Sequence, residues 1–248
     1  MLKLKNAPIV EAVLNIECDM PPVQDIAALQ EPAKEAFRPQ YPKFKAVLVQ
    51  EHRIEAKPEA QPQFSIKHSL HGFQLLQEDE RQLVQVRPHG FSFNRLAPYS
   101  TLDDYLGEME RTWNIFVKLT SPVQVRFIQL RYINRLLLPM PGGKLELEDY
   151  FKICPKLPDE DRLGFIGFLD QHTAVENETG NQVNIVLAAQ HAENETLPVI
   201  FDIAAARIVT TEPSNWGEII KTIQSLRDLK NRVFRNTLTE TCINLFQN

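Results

Sequence analysis

The stretch of this sequence best equipped for chemistry is Arg126-Phe-Ile-Gln-Leu-Arg-Tyr-Ile-Asn-Arg135. Read as a strand, it puts Phe127, Gln129, Arg131, Ile133 and Arg135 on one face and Arg126, Ile128, Leu130, Tyr132 and Asn134 on the other. Both faces carry polar groups, which is unusual for a strand at the centre of a chain. Arg131 and Arg135 stand ~13 Å apart along a regular strand. Each guanidinium can grip a carboxylate or a phosphate with its planar fork. The same arginines can instead pair with acids of the fold, Glu11 or Asp202, and lock it together. Arg95 and Tyr99, just ahead of a predicted helix, admit the same two readings. The candidate ligand-binding residues are therefore Glu11, Arg95, Tyr99, Arg131, Tyr132, Asn134 and Arg135.

No catalytic or metal motif accompanies them. His68 and His71 would point to opposite faces of a strand, and no third ligand follows at a useful spacing. Gly142-Gly143-Lys144 resembles the end of a phosphate loop but lacks its earlier glycine and the following Ser or Thr. The acid runs Asp103/Asp104 and Asp159/Glu160/Asp161 suit helix starts and solvated loops. Cys18, Cys154 and Cys242 are far apart, form no CxxC pair and read as small apolar residues. No cofactor is expected.

The elements that must position these residues read as α+β. Ile9–Cys18 alternates as a strand, and Val23, Ile26, Leu29, Ala33 and Phe37 recur at helical spacing, with Pro32 forcing a kink or restart. Strand candidates follow at 44–56, 64–77 (with Gly72 as a bulge) and 83–96, the last broken by Pro88-His89-Gly90. Ser100 with Asp103 offers a capping box for a helix whose face is Leu102, Tyr105, Leu106, Met109, Trp113 and Phe116. The pattern then restarts with a strand at 123–138, a short helix at 145–151 and strands beginning at Leu163, Val183 and Val199. A long helix capped by Ser214 closes it. The expectation is two tandem βαβββα-like halves, 1–121 and 122–248, with antiparallel sheets each covered by a long helix. They would join edge to edge or pack face to face.

The chain has 248 residues and a net charge of −5, which counts against bulk nucleic-acid binding because that needs a basic surface. No signal-peptide core or membrane-length apolar run is present, so a cytoplasmic location is expected, without membrane contact.

Four pieces taken together resemble a known group. They are Asn6-Ala-Pro-Ile-Val-Glu-Ala-Val-Leu14, Phe93-Asn-Arg-Leu-Ala-Pro-Tyr99 ahead of Trp113, Leu130-Arg-Tyr-Ile-Asn-Arg135, and Leu226-Arg-Asp-Leu-Lys-Asn-Arg-Val-Phe234 with Leu238-Thr-Glu240. The chain is similar to a sporadically distributed family of bacterial proteins of about this length with no assigned function. It departs from that pattern at Leu229-Lys230, where the family often carries Leu-His. The resemblance implies a bacterial cytoplasmic protein and supplies no activity.

With no catalytic motif in view, the expected function is non-enzymatic binding. The ligand would be a protein partner or a small molecule in a sheet–helix groove anchored by Arg131, Tyr132 and Arg135, in an accessory, antitoxin or immunity-type role. A homo-oligomer is an expected form. One alternative is a nucleic-acid-binding or -processing protein, with Arg126, Arg131 and Arg135 on phosphates and Phe127 and Tyr132 as a stacking platform. Another is an enzyme with an unrecognised site built from Glu11, Arg131, Tyr132 and Asn134.

Overall fold

The computed structural model describes residues 4–22, 25–55, 63–143, 145–156, 158 and 166–247, of which 51–55 and 63–67 are described by backbone alone. Val23, Lys144, Asp159, Glu160, Asp161 and Leu163, named above, lie outside these.

The alternating apolar segments pair into one antiparallel sheet of nine strands. The strands are β1 (Ile9–Asp19), β2 (Lys43–Glu55), β3 (Gln63–Leu76), β4 (Gln82–Arg87), β5 (Gly90–Leu96), β6 (Gln124–Pro139), β7 (Leu169–Val175), β8 (Gln182–Ala189) and β9 (Thr196–Thr211). Their spatial order is β2-β3-β4-β5-β1-β6-β9-β8-β7. Strands before residue 121 thus occupy one side of the sheet and strands after it the other, with β1 and β6 joined along the middle. The fold is α+β, as expected, and its described strands form one continuous sheet.

The helices are α1 (Gln30–Phe37), α2 (Leu102–Thr120), α3 (Trp216–Thr237) and the short α4 (Glu240–Asn244). The three long ones lie on the same face. Alternation decides which face that is. Leu14 and Ile16 of β1, Phe91 and Phe93 of β5, Leu130 and Tyr132 of β6, and Phe201 and Ile203 of β9 are buried beneath them. Trp113 of α2 meets Phe91 edge-on and stacks on Phe116, with centroids 5.6 and 5.3 Å away. Phe234 of α3 stacks on Phe201 at 5.7 Å. Each such aromatic contributes ~2–3 kcal/mol by leaving water.

Several local expectations need correction. The 83–96 run is two strands, because Pro88-His89 forms a hairpin turn between β4 and β5. The cap of α2 is Thr101 with Asp104, one residue beyond Ser100 and Asp103. The cap of α3 is Asn215, whose side chain accepts from the Glu218 amide, and not Ser214. Adjacent polar residues compete for one capping position, and the apolar phase of the helix selects the winner. The short helix at 145–151 reduces to a 3-10 turn, Leu147–Asp149. α1 restarts at Gln30, which places Pro32 in the first turn where its missing N–H costs nothing. The bulge opposite Val47/Leu48 falls at Leu70–Gly72 as predicted. Gly72 is required there, since a Cβ would stand 2.4 Å from the Val86 carbonyl oxygen.

Candidate functional site

The strict alternation of β6 divides the seven candidate residues between opposite faces of the sheet. Arg131, Arg135 and Glu11 lie on the face without helices, whereas Tyr132, Asn134, Arg95 and Tyr99 lie beneath or beside α2 and α3.

On the open face the charges are answered from within the fold. Arg131 sends Nε and one terminal nitrogen to both oxygens of Asp202 on the neighbouring strand β9, at 2.5–3.0 Å. Glu11 instead accepts from Asn94 Nδ2 at 2.7 Å, and Asn94 in turn accepts from the Ser92 hydroxyl at 2.9 Å. Arg135 donates to Gln190 Oε1 at 2.9 Å, and Arg126 pairs with Asp19 at 2.5 Å. Glu11 and Asp202 stand at equivalent diagonal positions on either side of Arg131, both opposite Ile133, and the guanidinium turns to Asp202.

The helix-side group is different. Tyr132 is 2% exposed, and its hydroxyl lies 2.8 Å from the hydroxyl of Tyr99, which enters from the loop after β5. Their rings meet edge-on at 5.5 Å. Tyr105, in the first turns of α2, lies against Tyr99 at 5.4 Å, and the guanidinium of Arg95 sits 5.4 Å from the centre of the Tyr105 ring. Asn134, also buried, donates to the Phe201 carbonyl at 2.8 Å and so ties β6 to β9 behind the tyrosines. Burial pushes the Tyr132 phenol up to about 12 and raises the Tyr99 phenol as well. Both are protonated hydrogen-bond donors at neutral pH.

Lys230 completes the group. It extends from α3 to set its ammonium 3.8 Å from the centre of the Tyr132 ring. Among the described residues no carboxylate or other hydrogen-bond acceptor meets that ammonium. The charge that acts on it is another cation, Arg227, one turn earlier on α3, which pairs with Asp103 of α2 at 2.7 Å. The residue is half-buried, and desolvation, helped by Arg227, lowers its pKa to about 7. An ammonium in this setting titrates near neutrality and lacks an anionic counterpart. Lys230 was not among the sequence candidates, because a lysine late in a helix reads as surface charge. The one trace in the sequence is that Leu229-Lys230 departs from the Leu-His of the resembled pattern.

The structure therefore brings Tyr99 and Tyr132 together, with Arg95 at one end and Lys230 at the other, over a floor that includes Asn134. It separates them from Arg131, Arg135 and Glu11 by the thickness of the sheet. No known family model and no curated protein matches the chain. No helix among the described residues is long and apolar enough to cross a membrane.

Proposed function

We propose that this is a non-enzymatic binding protein whose site is the seam between the start of α2 and the middle of α3, and that its ligand presents an anionic group, a carboxylate or phosphate, to Lys230. The observation that supports the reading is an ammonium seated on an aromatic ring with no acceptor of its own among the described residues. A bound anion would supply the missing charge, and whichever of the Tyr99 and Tyr132 hydroxyls is not donating to the other is a further donor beside it. The seam lies where the closing helices of two pseudo-equivalent halves, 1–121 and 122–248, approach each other through Asp103 and Arg227. No observation favours the nucleic-acid alternative, since Arg126 and Arg131 are answered by Asp19 and Asp202.

The test is a thermal-shift series with acetate and inorganic phosphate on the wild type and on Lys230→Met, at pH 6 and pH 8.5 and constant ionic strength. The anion that binds should stabilise the wild type at pH 6, do so less at pH 8.5 where the amine is mostly neutral, and leave the variant unmoved. Equal anion responses in the two proteins at pH 6 would reject the site.

A further inference from the structure

Among the described residues the sheet ends on one side in β7, an edge strand with unusual properties. It carries no proline, lysine or arginine, and its ladder with β8 runs from Leu169 to Val175 without a register shift. Natural edge strands are ordinarily protected by such devices. The opposite edge, β2, has Lys43 and Lys45 near its start, both paired to Glu80, and lies against the bulge that β3 carries at Leu70–Gly72.

The backbone of β7 has a definite polarity. The Ala189 amide donates to the Phe168 carbonyl at 3.0 Å, and the Glu176 amide donates to the Asn181 carbonyl at 2.7 Å. Hydrogen-bonded pairs alternate along an antiparallel ladder, so residues 168, 170, 172, 174 and 176 direct their N–H and C=O groups toward β8. Leu169, Gln171, Thr173 and Val175 direct theirs outward. The same four residues share one side-chain face, the one without helices, because they stand opposite Ala188, Val186, Asn184 and Gln182. Leu169 and Val175 are two of the most exposed large apolar residues described, at 72% and 58%.

These facts define one register for a second copy. With a two-fold axis at His172, Leu169 of one copy meets Val175 of the other, and Gln171 meets Thr173. Every outward-directed backbone group then finds a partner, giving about eight hydrogen bonds. The exposed Leu169 and Val175 cover each other twice, as the self-complementarity of a two-fold interface demands. Shifting the register by two residues in either direction strands an outward residue and separates leucine from valine. We infer that β7 is a homodimerisation edge, pairing antiparallel with β7 of a second copy about His172 to make one continuous sheet of two chains. Asp170, 2.9 Å from His172 on the helix side, supplies a carboxylate beside each imidazole where the two histidines meet.

The register makes the test specific. In a Cys154→Ser background, His172→Cys places two thiols directly across the axis in a non-hydrogen-bonded pair, with Cα atoms ~4.5 Å apart, within disulfide reach. Mild oxidation should give a covalent dimer of twice 28.5 kDa. Leu169→Cys should give none, while Leu169→Cys combined with Val175→Cys should. Thr173→Pro removes one outward N–H without touching the β8 ladder, so it should keep the melting temperature of the monomer fold and sediment as a monomer where the wild type sediments as a dimer. A wild type that sediments as a monomer at concentrations of tens of micromolar would overturn the inference. So would a dimer that Thr173→Pro leaves intact, or one that cross-links through Leu169→Cys and not through His172→Cys.

Discussion

Replacing Lys230 with methionine removes a partly buried charge while keeping the length of the side chain, and it should stabilise the protein. The ordinary lysine value of 10.5 falls here to about 7, chiefly through desolvation. At 1.36 kcal/mol for each tenfold step in proton affinity, the protonated form carries a ceiling of about 5 kcal/mol of strain. The residue is only half-buried, so solvent screening brings a realistic figure down to ~2 kcal/mol. Loss of the cation–π contact with Tyr132 takes back ~0.5–1 kcal/mol. Lys230→Met should therefore gain ~1–1.5 kcal/mol at pH 7, a rise of roughly 2–6 °C in melting temperature for a chain of this size. The sign of the pH dependence follows from linkage. The folded pKa lies below the unfolded one, so between about 7 and 10.5 the unfolded chain binds more protons. Wild-type stability consequently rises with pH through that window, relative to the variant. The advantage of the variant is full below pH 7 and fades toward pH 10. Urea unfolding of both proteins between pH 6 and pH 10 measures it. An advantage that does not change with pH, or a variant less stable at pH 6, would refute the argument.

Three further substitutions probe the surroundings. Tyr99→Phe leaves the buried Tyr132 hydroxyl without its 2.8 Å partner and should cost ~1 kcal/mol in urea unfolding, with little change in the far-ultraviolet spectrum. Arg131→Ala strips the counter-charge from Asp202, whose side chain is 12% exposed, and should cost ~2–3 kcal/mol. Adding Asp202→Ala should recover part of that loss, and a coupling energy near zero in the double-mutant cycle would show the pair to be inert. Gly90→Ala drives a Cβ to within 2.3 Å of the Ile16 carbonyl oxygen in the β5–β1 ladder, and should cost ~2 kcal/mol or more or prevent soluble expression.

How far the sequence carried these conclusions depended on the kind of signal. β1 and most of β6 alternate because one face is buried and the other is not, and that asymmetry is written in residue types. α2 and α3 announce themselves through Trp113 and Phe116 and through Ile219, Ile223 and Leu226. The same alternation correctly put Arg131 and Tyr132 on opposite faces. It could not say which face the helices would cover, because that depends on the handedness and length of every connection. The candidate group was consequently half assembled. Tyr99 and Tyr132 meet because the loop after β5 turns back across β6, and Lys230 joins them from nearly a hundred residues away. Such a meeting has no periodic trace. The split of 83–96 into β4 and β5 was visible at Pro88-His89-Gly90, since a chain that reverses within three residues makes two strands.

The position of β1 has a consequence for biosynthesis. β1 leaves the ribosome before the other strands of the sheet, yet its two neighbours are β5 and β6, at residues 90–96 and 124–139. At translation rates of ~5–20 residues per second, it waits several seconds for the first and longer for the second. During that interval an apolar ribbon containing Val10, Leu14 and Ile16 is without its lateral partners. Hairpins β2–β3 and β4–β5 can close locally, but the central seam can form only after β6 has left the exit tunnel. The β2–β5 flank can thus pair before the central seam exists, whereas the β9-β8-β7 flank is synthesised only after β6 has emerged, so the sheet grows from one flank across its middle to the other.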